Sequence, residues 1–209
     1  MLKYHLMSSV VSPLKAVRNQ LFGSHILSKW QQSGKPYPTP HIVKQRVISQ
    51  YKNKYGLTTL VETGTYLGDM VDAQRNNFLQ IISIELSEKL AFLAKRRFRN
   101  RPNIDIQQGD SAAVLKKITP TLVSSALFWL DGHYSGGLTA KGSVECPVFD
   151  ELDSIFDYNK NHIILIDDAR LYIGKDEYPS LDELTQYIAK RDSRYRISSE
   201  DDIIRIEIN

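Results

Sequence analysis

From residue 59 onward, short unbroken apolar runs alternate with longer segments whose apolar positions recur every three to four residues. Thr59-Leu-Val-Glu62, Ile81 to Glu85, Ile104 to Gln107, Ala126 to Asp131 and His162 to Asp167 have the length and composition of strands. Asp69 to Phe78, Ser87 to Phe98, Ser111 to Ile118, Glu145 to Tyr158 and Leu181 to Lys190 have helical spacing. Strands alternating with helices of this length predict parallel βαβ units with right-handed crossovers. Ile163-Ile-Leu-Ile166 is the most hydrophobic run and is expected to be a central strand, with both faces covered. The chain closes with Tyr195-Arg-Ile-Ser198, an acidic turn at Glu200-Asp-Asp202 and the run Ile203 to Ile208. So short a connection forces those two strands to be antiparallel. The predicted fold class is α/β, a doubly wound, mostly parallel seven-stranded sheet ending in an antiparallel C-terminal hairpin.

Ahead of this alternation, Ile42, Val43, Val47, Ile48 and Tyr51 are spaced as on a lead-in helix that stops near Gly56. Residues 1–40 carry amphipathic patches, one around Leu14 to Leu27, and end in Lys35-Pro-Tyr-Pro-Thr-Pro40, where each ring restricts the backbone before it. The expected organisation is therefore an N-terminal arm and linker over 1–40 and one domain over 41–209. The arm is suited to covering the site or joining subunits into a homo-oligomer.

Composition narrows the classes. The 209 residues are 42% hydrophobic and 24% charged, as in an ordinary globular chain. Lys and Arg number 27 against 24 Asp and Glu, a net +3 that gives no reason to expect a nucleic-acid partner. The local run Lys95, Arg96, Arg97 and Arg99 falls at a helix C-terminus, where cations suit the dipole, and reads as a solvated face in preference to a polyanion site. The single cysteine, Cys146, excludes an internal disulfide and any zinc cluster built on thiolates, so a reducing, cytoplasmic setting is expected. No stretch approaches the apolar length of a membrane span, and Met1 to Leu14 lacks a signal-peptide core.

Candidate chemistry gathers where the strands end. Thr63-Gly-Thr-Tyr-Leu-Gly-Asp69 follows the first strand and puts Gly64 and Gly68 in its turn to the next helix, where glycine permits positive φ and close approach of a ligand. The G-x-x-x-G spacing is not the dinucleotide fingerprint. Glu62 before it would repel phosphate but suits the ammonium group of a bound amino acid. Glu85 ends the next strand 21 residues after Gly64, about the spacing of an acid that accepts hydrogen bonds from ribose hydroxyls. After the third strand, Asp110 and Ser111 are placed to cap a helix or to bond an adenine amino group, two compatible roles.

Asp131 ends the fourth strand, and Asp167 and Asp168 end the fifth. Clustered carboxylates repel one another unless a cation or a buried donor compensates, and oxygen ligands alone select Mg²⁺ or another divalent hard cation. A metal at Asp131, Asp167 and Asp168 is the expectation, against the plainer role of capping a loop. His133, two residues past Asp131, is a candidate proton acceptor. Tyr134 to Gly142 offers glycines, hydroxyls and a lysine, as a substrate-covering loop would, or as plain surface does.

In this order these residues resemble the Rossmann-like class I S-adenosylmethionine-dependent methyltransferases, and more narrowly the metal-dependent O-methyltransferases of the catechol, caffeoyl-CoA and macrocin types. The resemblance spans residues 42–209 and is carried by Val61-Glu-Thr-Gly-Thr-Tyr-Leu-Gly68, similar to that group's E-x-G-x-x-x-G loop, and by Asp131 with Asp167-Asp168. A parallel sheet with a closing antiparallel hairpin is also typical of that class. The resemblance implies that Glu62, Gly64, Thr65 and Gly68 contact the methionine part of S-adenosylmethionine, that Glu85 binds its ribose, and that Asp110 and Ser111 hold adenine. It further implies a metal triad of Asp131, Asp167 and Asp168, a catalytic part for Asp131 and a small molecule or sugar as methyl acceptor, while His133 is a catalytic candidate by its own position beside Asp131. Where relatives carry a lysine or an acid as base after the first metal aspartate, this chain has His133 followed by Tyr-Ser-Gly-Gly. Two rivals stand beside this expectation: a metal-independent methyltransferase acting on another acceptor, and a non-catalytic module that keeps the fold.

Overall fold

The structure is a computed structural model, and it describes residues 22–132 and 146–209. His133, the loop Tyr134 to Gly142, the expected helix start at Glu145 and residues 1–21 of the arm lie outside the described residues.

A helix over residues 22–32 (α1) leads through the proline-rich linker to α2 (His41–Tyr55), whose buried face is Val43, Val47, Ile48 and Tyr51. Gly56 closes α2 in the left-handed conformation, with φ 63°. The alternation then runs β1 (Thr59–Thr63), α3 (Asp69–Gln74), β2 (Gln80–Glu85), α4 (Glu88–Phe98), β3 (Ile104–Gln108), α5 (Ser111–Ile118), β4 (Leu127–Leu130), α6 (Val148–Phe156) and β5 (Ile163–Ile166). A short hairpin, β6 (Ile173–Lys175) and β7 (Tyr178–Ser180), precedes α7 (Leu181–Arg191), and β8 (Tyr195–Glu200) with β9 (Ile203–Ile208) completes the chain.

Seven strands form one sheet in the order β3-β2-β1-β4-β5-β9-β8. The first five are parallel, and β9 joins antiparallel to both β5 and β8. The predicted α/β class, the central β5 and the closing hairpin are all present. The strand order reverses between β1 and β4, which opens a crevice at their C-terminal ends.

Alternate strand residues feed two cores. Leu60, Ile81, Leu127, Trp129, Ile163 and Leu165 face α2, α3 and α4, while Val61, Ile82, Phe128, Leu130, Ile164 and Ile166 face α5, α6 and α7. All eight side chains of β4 and β5 are buried. Each contributes roughly 1.5–3 kcal/mol by leaving water, so the two strands that carry the aspartates are held along their whole length. Local signals fix the helix starts: Asp110 caps α5 by accepting from Ala113 N at 3.0 Å, and Ser180 and Glu183 form a capping box on α7.

The linker is anchored at the far end of the chain. Lys35 Nζ donates to Asp201 Oδ1 at 2.6 Å, the Thr39 hydroxyl donates to Asp201 O at 3.1 Å, and Trp30 Nε1 donates to Pro36 O at 2.9 Å. Among the described residues no helix is long and apolar enough to cross a membrane.

Candidate functional site

Five parallel strands bring their C-terminal ends to one edge. The ladder extends one step past β4 and β5: Asp131 N–H donates to Thr63 O at 3.1 Å and Asp167 N–H to Leu130 O at 3.0 Å. Asp131 and Asp167 therefore leave neighbouring strands side by side, with the β1 loop adjacent.

That loop is built by its backbone. Gly64 (φ 85°), Tyr66 (φ 49°) and Gly68 (φ 76°) all have positive φ, and the N–H groups of Gly64 and Thr65 donate to Ile84 O at 2.9 and 3.2 Å. A Cβ on Gly64 would overlap the Asp131 carbonyl oxygen, and one on Gly68 would stand 2.7 Å from the Phe98 ring. Glycine at these positions thus permits the loop to lie against the end of β4 and against α4.

Glu85 ends β2 and sits under the same loop, where Oε2 accepts from Tyr66 N at 2.7 Å and Oε1 from Ser87 N at 2.9 Å. A carboxylate has about four acceptor positions, so two remain for hydroxyls. Gly109 N–H donates to Glu85 O at 3.0 Å and brings Asp110 and Ser111, at the start of α5, beside it. Gly64, Thr65, Gly68, Glu85, Asp110 and Ser111 are thereby gathered along the ends of β1, β2 and β3, and their chemistry fits an adenosine-bearing amino acid.

Glu62 lies deeper than sequence reasoning implied. Only 2% exposed, it accepts from the Ser83 hydroxyl at 2.5 Å, and Thr65 Oγ1 is 2.6 Å from Ser83 Oγ. Burial pushes its carboxyl up to about 8; the Ser83 bond works against this and the Glu85 charge adds to it. Near neutral pH Glu62 is thus largely protonated rather than the fixed negative charge expected at the strand end. Between pH 4.5 and about 8 the folded chain keeps a proton there that the unfolded chain has released, so stability falls as pH rises through that window. Glu62→Gln is expected to flatten this slope, raising stability at pH 8 relative to pH 5 by on the order of a few kcal/mol compared with the unsubstituted chain. Urea unfolding at the two pH values measures it, and parallel slopes would count against a buried proton at Glu62.

The acidic edge differs from the expected metal triad. Asp167, whose side chain is fully buried, uses both oxygens internally: Oδ2 is ion-paired with Lys44 of α2, and Oδ1 accepts from Asp168 N at 2.8 Å. Asp168 has a left-handed backbone (φ 55°), with its Oδ1 2.8 Å from Arg170 Nη1 and 3.7 Å from Lys44 Nζ. Arg170 also pairs with buried Asp202, whose Oδ1 accepts Arg170 N–H at 2.9 Å. Burial would lower the Lys44 ammonium, but the charges of Asp167, Asp131 and Asp168 outweigh it and hold its pKa above the ordinary value. Asp167 is raised by burial, with Lys44 opposing. Among the described residues, no group of three His, Cys, Asp or Glu side chains is arranged to hold a metal ion. Asp131, Asp167 and Asp168 come to one edge as expected, and there Asp167 and Asp168 are compensated by the protein cations Lys44 and Arg170. Sequence reasoning missed Ser83, Lys44, Arg170 and Asp202; the sequence signal available was the excess of carboxylates at strand ends, which called for cations somewhere.

No family model matches the chain, and no curated protein matches it in sequence. Solved structures do match. The chain is similar to the SAH-bound methyltransferase PaMTH1 of Podospora anserina, at 16% identity and TM-score 0.57, over 88% of this chain and 87% of that one. It is similar to the O-methyltransferase TomG of Streptomyces achromogenes in complex with SAM, at 9% identity and TM-score 0.59, over 86% of each chain. An O-methyltransferase from Bacillus cereus in complex with SAH matches at 11% identity and TM-score 0.57, over 89% of this chain and 90% of that one. Likeness at such identities speaks for architecture alone. The chain has the Rossmann-like fold of these methyltransferases.

Proposed function

We propose that the protein is an S-adenosylmethionine-dependent methyltransferase that methylates a hydroxyl oxygen on a small molecule or sugar. The observation that carries this reading is the Gly64 to Gly68 loop folded over Glu85 at the strand-order reversal, in a sheet closed by an antiparallel hairpin. Structural neighbours bound to SAM or SAH with the same fold support it.

When bound, the cofactor supplies an electrophilic methyl group on a positively charged sulfur. In this reading the loop backbone and Thr65 receive its methionine part, with Glu62 beneath them. Glu85 accepts from the ribose hydroxyls, and Asp110 and Ser111 meet adenine. Asp131 stands at the acceptor side, and His133 is the proposed acceptor of the hydroxyl proton. Alignment of donor and acceptor is the main contribution the protein makes to such a transfer. No step is assigned to Mg²⁺, since Lys44 and Arg170 already pair with Asp167 and Asp168, two of the three aspartates expected to bind it.

Calorimetric titration with S-adenosylmethionine tests the reading. Binding is expected, and Glu85→Ala should weaken it by about a hundredfold, since two hydrogen bonds to a charged acceptor are lost. Absence of any heat with either S-adenosylmethionine or S-adenosylhomocysteine would favour a non-catalytic module that keeps the fold.

A further inference from the structure

We propose that the Lys44 ammonium is the resident cation of the acidic edge, occupying by ion pairing the role that a divalent metal would have at Asp131, Asp167 and Asp168. Lys44 belongs to α2, which precedes the sheet, and reaches strand ends more than 120 residues further along the chain. Its helix cannot readily withdraw: Val47, Ile48 and Tyr51 on the same helix are buried in the core against the sheet.

The arrangement leaves a metal no open ligand on Asp167. A divalent hard cation binds carboxylate oxygens at about 2.0–2.6 Å and needs several of them turned toward it. Here Asp167 Oδ2 faces Lys44 Nζ, Asp167 Oδ1 faces the Asp168 amide, and Asp168 Oδ1 faces Arg170. A metal at these oxygens would lie beside an ammonium that is largely shielded from solvent, where repulsion between like charges is weakly screened. An ammonium is no Lewis acid, but it carries three N–H donors, of which the Asp167 bond takes one. Lys44 thus fixes the carboxylates as a positioning residue, and the acceptor's proton must go to a protein base. The inference deepens the methyltransferase reading and rests on it for the edge being the acceptor side. Cation binding is read without cofactor or acceptor, so the two ideas fail separately.

Titration of the purified chain with Mn²⁺, followed by electron paramagnetic resonance of the free ion, provides the test. The unsubstituted chain and Lys44→Arg are expected to bind no Mn²⁺ at submillimolar concentrations. Lys44→Ala should bind one ion at least ~tenfold more tightly than the unsubstituted chain, and Asp167→Asn added to it should abolish that gain. Stoichiometric Mn²⁺ binding by the unsubstituted chain that is lost in Asp167→Asn would overturn the proposal without recourse to any Lys44 variant. So would a folded Lys44→Ala chain that binds Mn²⁺ no better than its parent.

Discussion

Gly64→Ala is expected to lower the free energy of unfolding by roughly 3–5 kcal/mol, combining a left-handed conformation forced on alanine with overpacking against a fixed backbone. The residue has φ 85°, and an added Cβ would overlap the Asp131 carbonyl oxygen and lie 2.8 Å from its carbon. Neither partner can move easily, because Asp131 is tied to Thr63 O across the sheet and Gly64 to Ile84 O. Gly56→Ala provides the comparison: φ there is 63°, nothing stands within 4 Å, and the cost should be about 1 kcal/mol. Urea midpoints for the two variants separate conformational strain from steric overlap. If they agreed within error, the close approach of the loop to β4 would not be as described.

Lys44→Met should cost about 3 kcal/mol at pH 8, the magnitude typical of removing one partner from a buried ion pair. Asp167 would keep its bond from the Asp168 amide but lose the cation on its other oxygen, in a position with no access to solvent. Its carboxyl, already raised by burial, can escape the penalty by taking up a proton. The loss should therefore shrink as pH falls and the variant approach its parent in acid. Asp167→Leu combined with Lys44→Met should recover much of the deficit, because neither charge is then buried alone. Stability curves at pH 5 and 8 for the single and double variants check both points; a pH-independent loss would mean that the carboxylate was not the source.

Much of the architecture was legible in the chain because its core strands are short, wholly apolar and separated by amphipathic helices. Ile163 to Ile166 reads as a central strand since both of its faces are buried, and the few residues between β8 and β9 dictate their direction. The β6–β7 hairpin was not anticipated: Ile173 to Lys175 is exposed and carries no alternation to mark it. Helix α3 stops at Gln74, short of the Phe78 expected from periodicity: the chain turns over Arg75 to Asn77, and Phe78 is buried from the segment that follows. At the site, the acids were visible because each terminates an apolar run. Their partners were not. A lysine on a mixed helix reads as solvated, and nothing local to Lys44 announces that Asp167 lies against it. Glu62 misled for a related reason, since the sequence shows its type and its strand position but not the Ser83 hydroxyl and the depth that keep it protonated.

The linker anchored at Asp201 and the ammonium anchored at Asp167 impose an order on assembly. Both bonds span most of the chain, with partners 166 and 123 residues apart. During synthesis α1 and α2 emerge long before β5 or the β8–β9 turn exists, so neither attachment can form until most of the sheet has been translated. Contacts of such separation are slow to close. A segment made before the sheet is therefore fastened among the last, and the acidic edge acquires its cation only as folding ends.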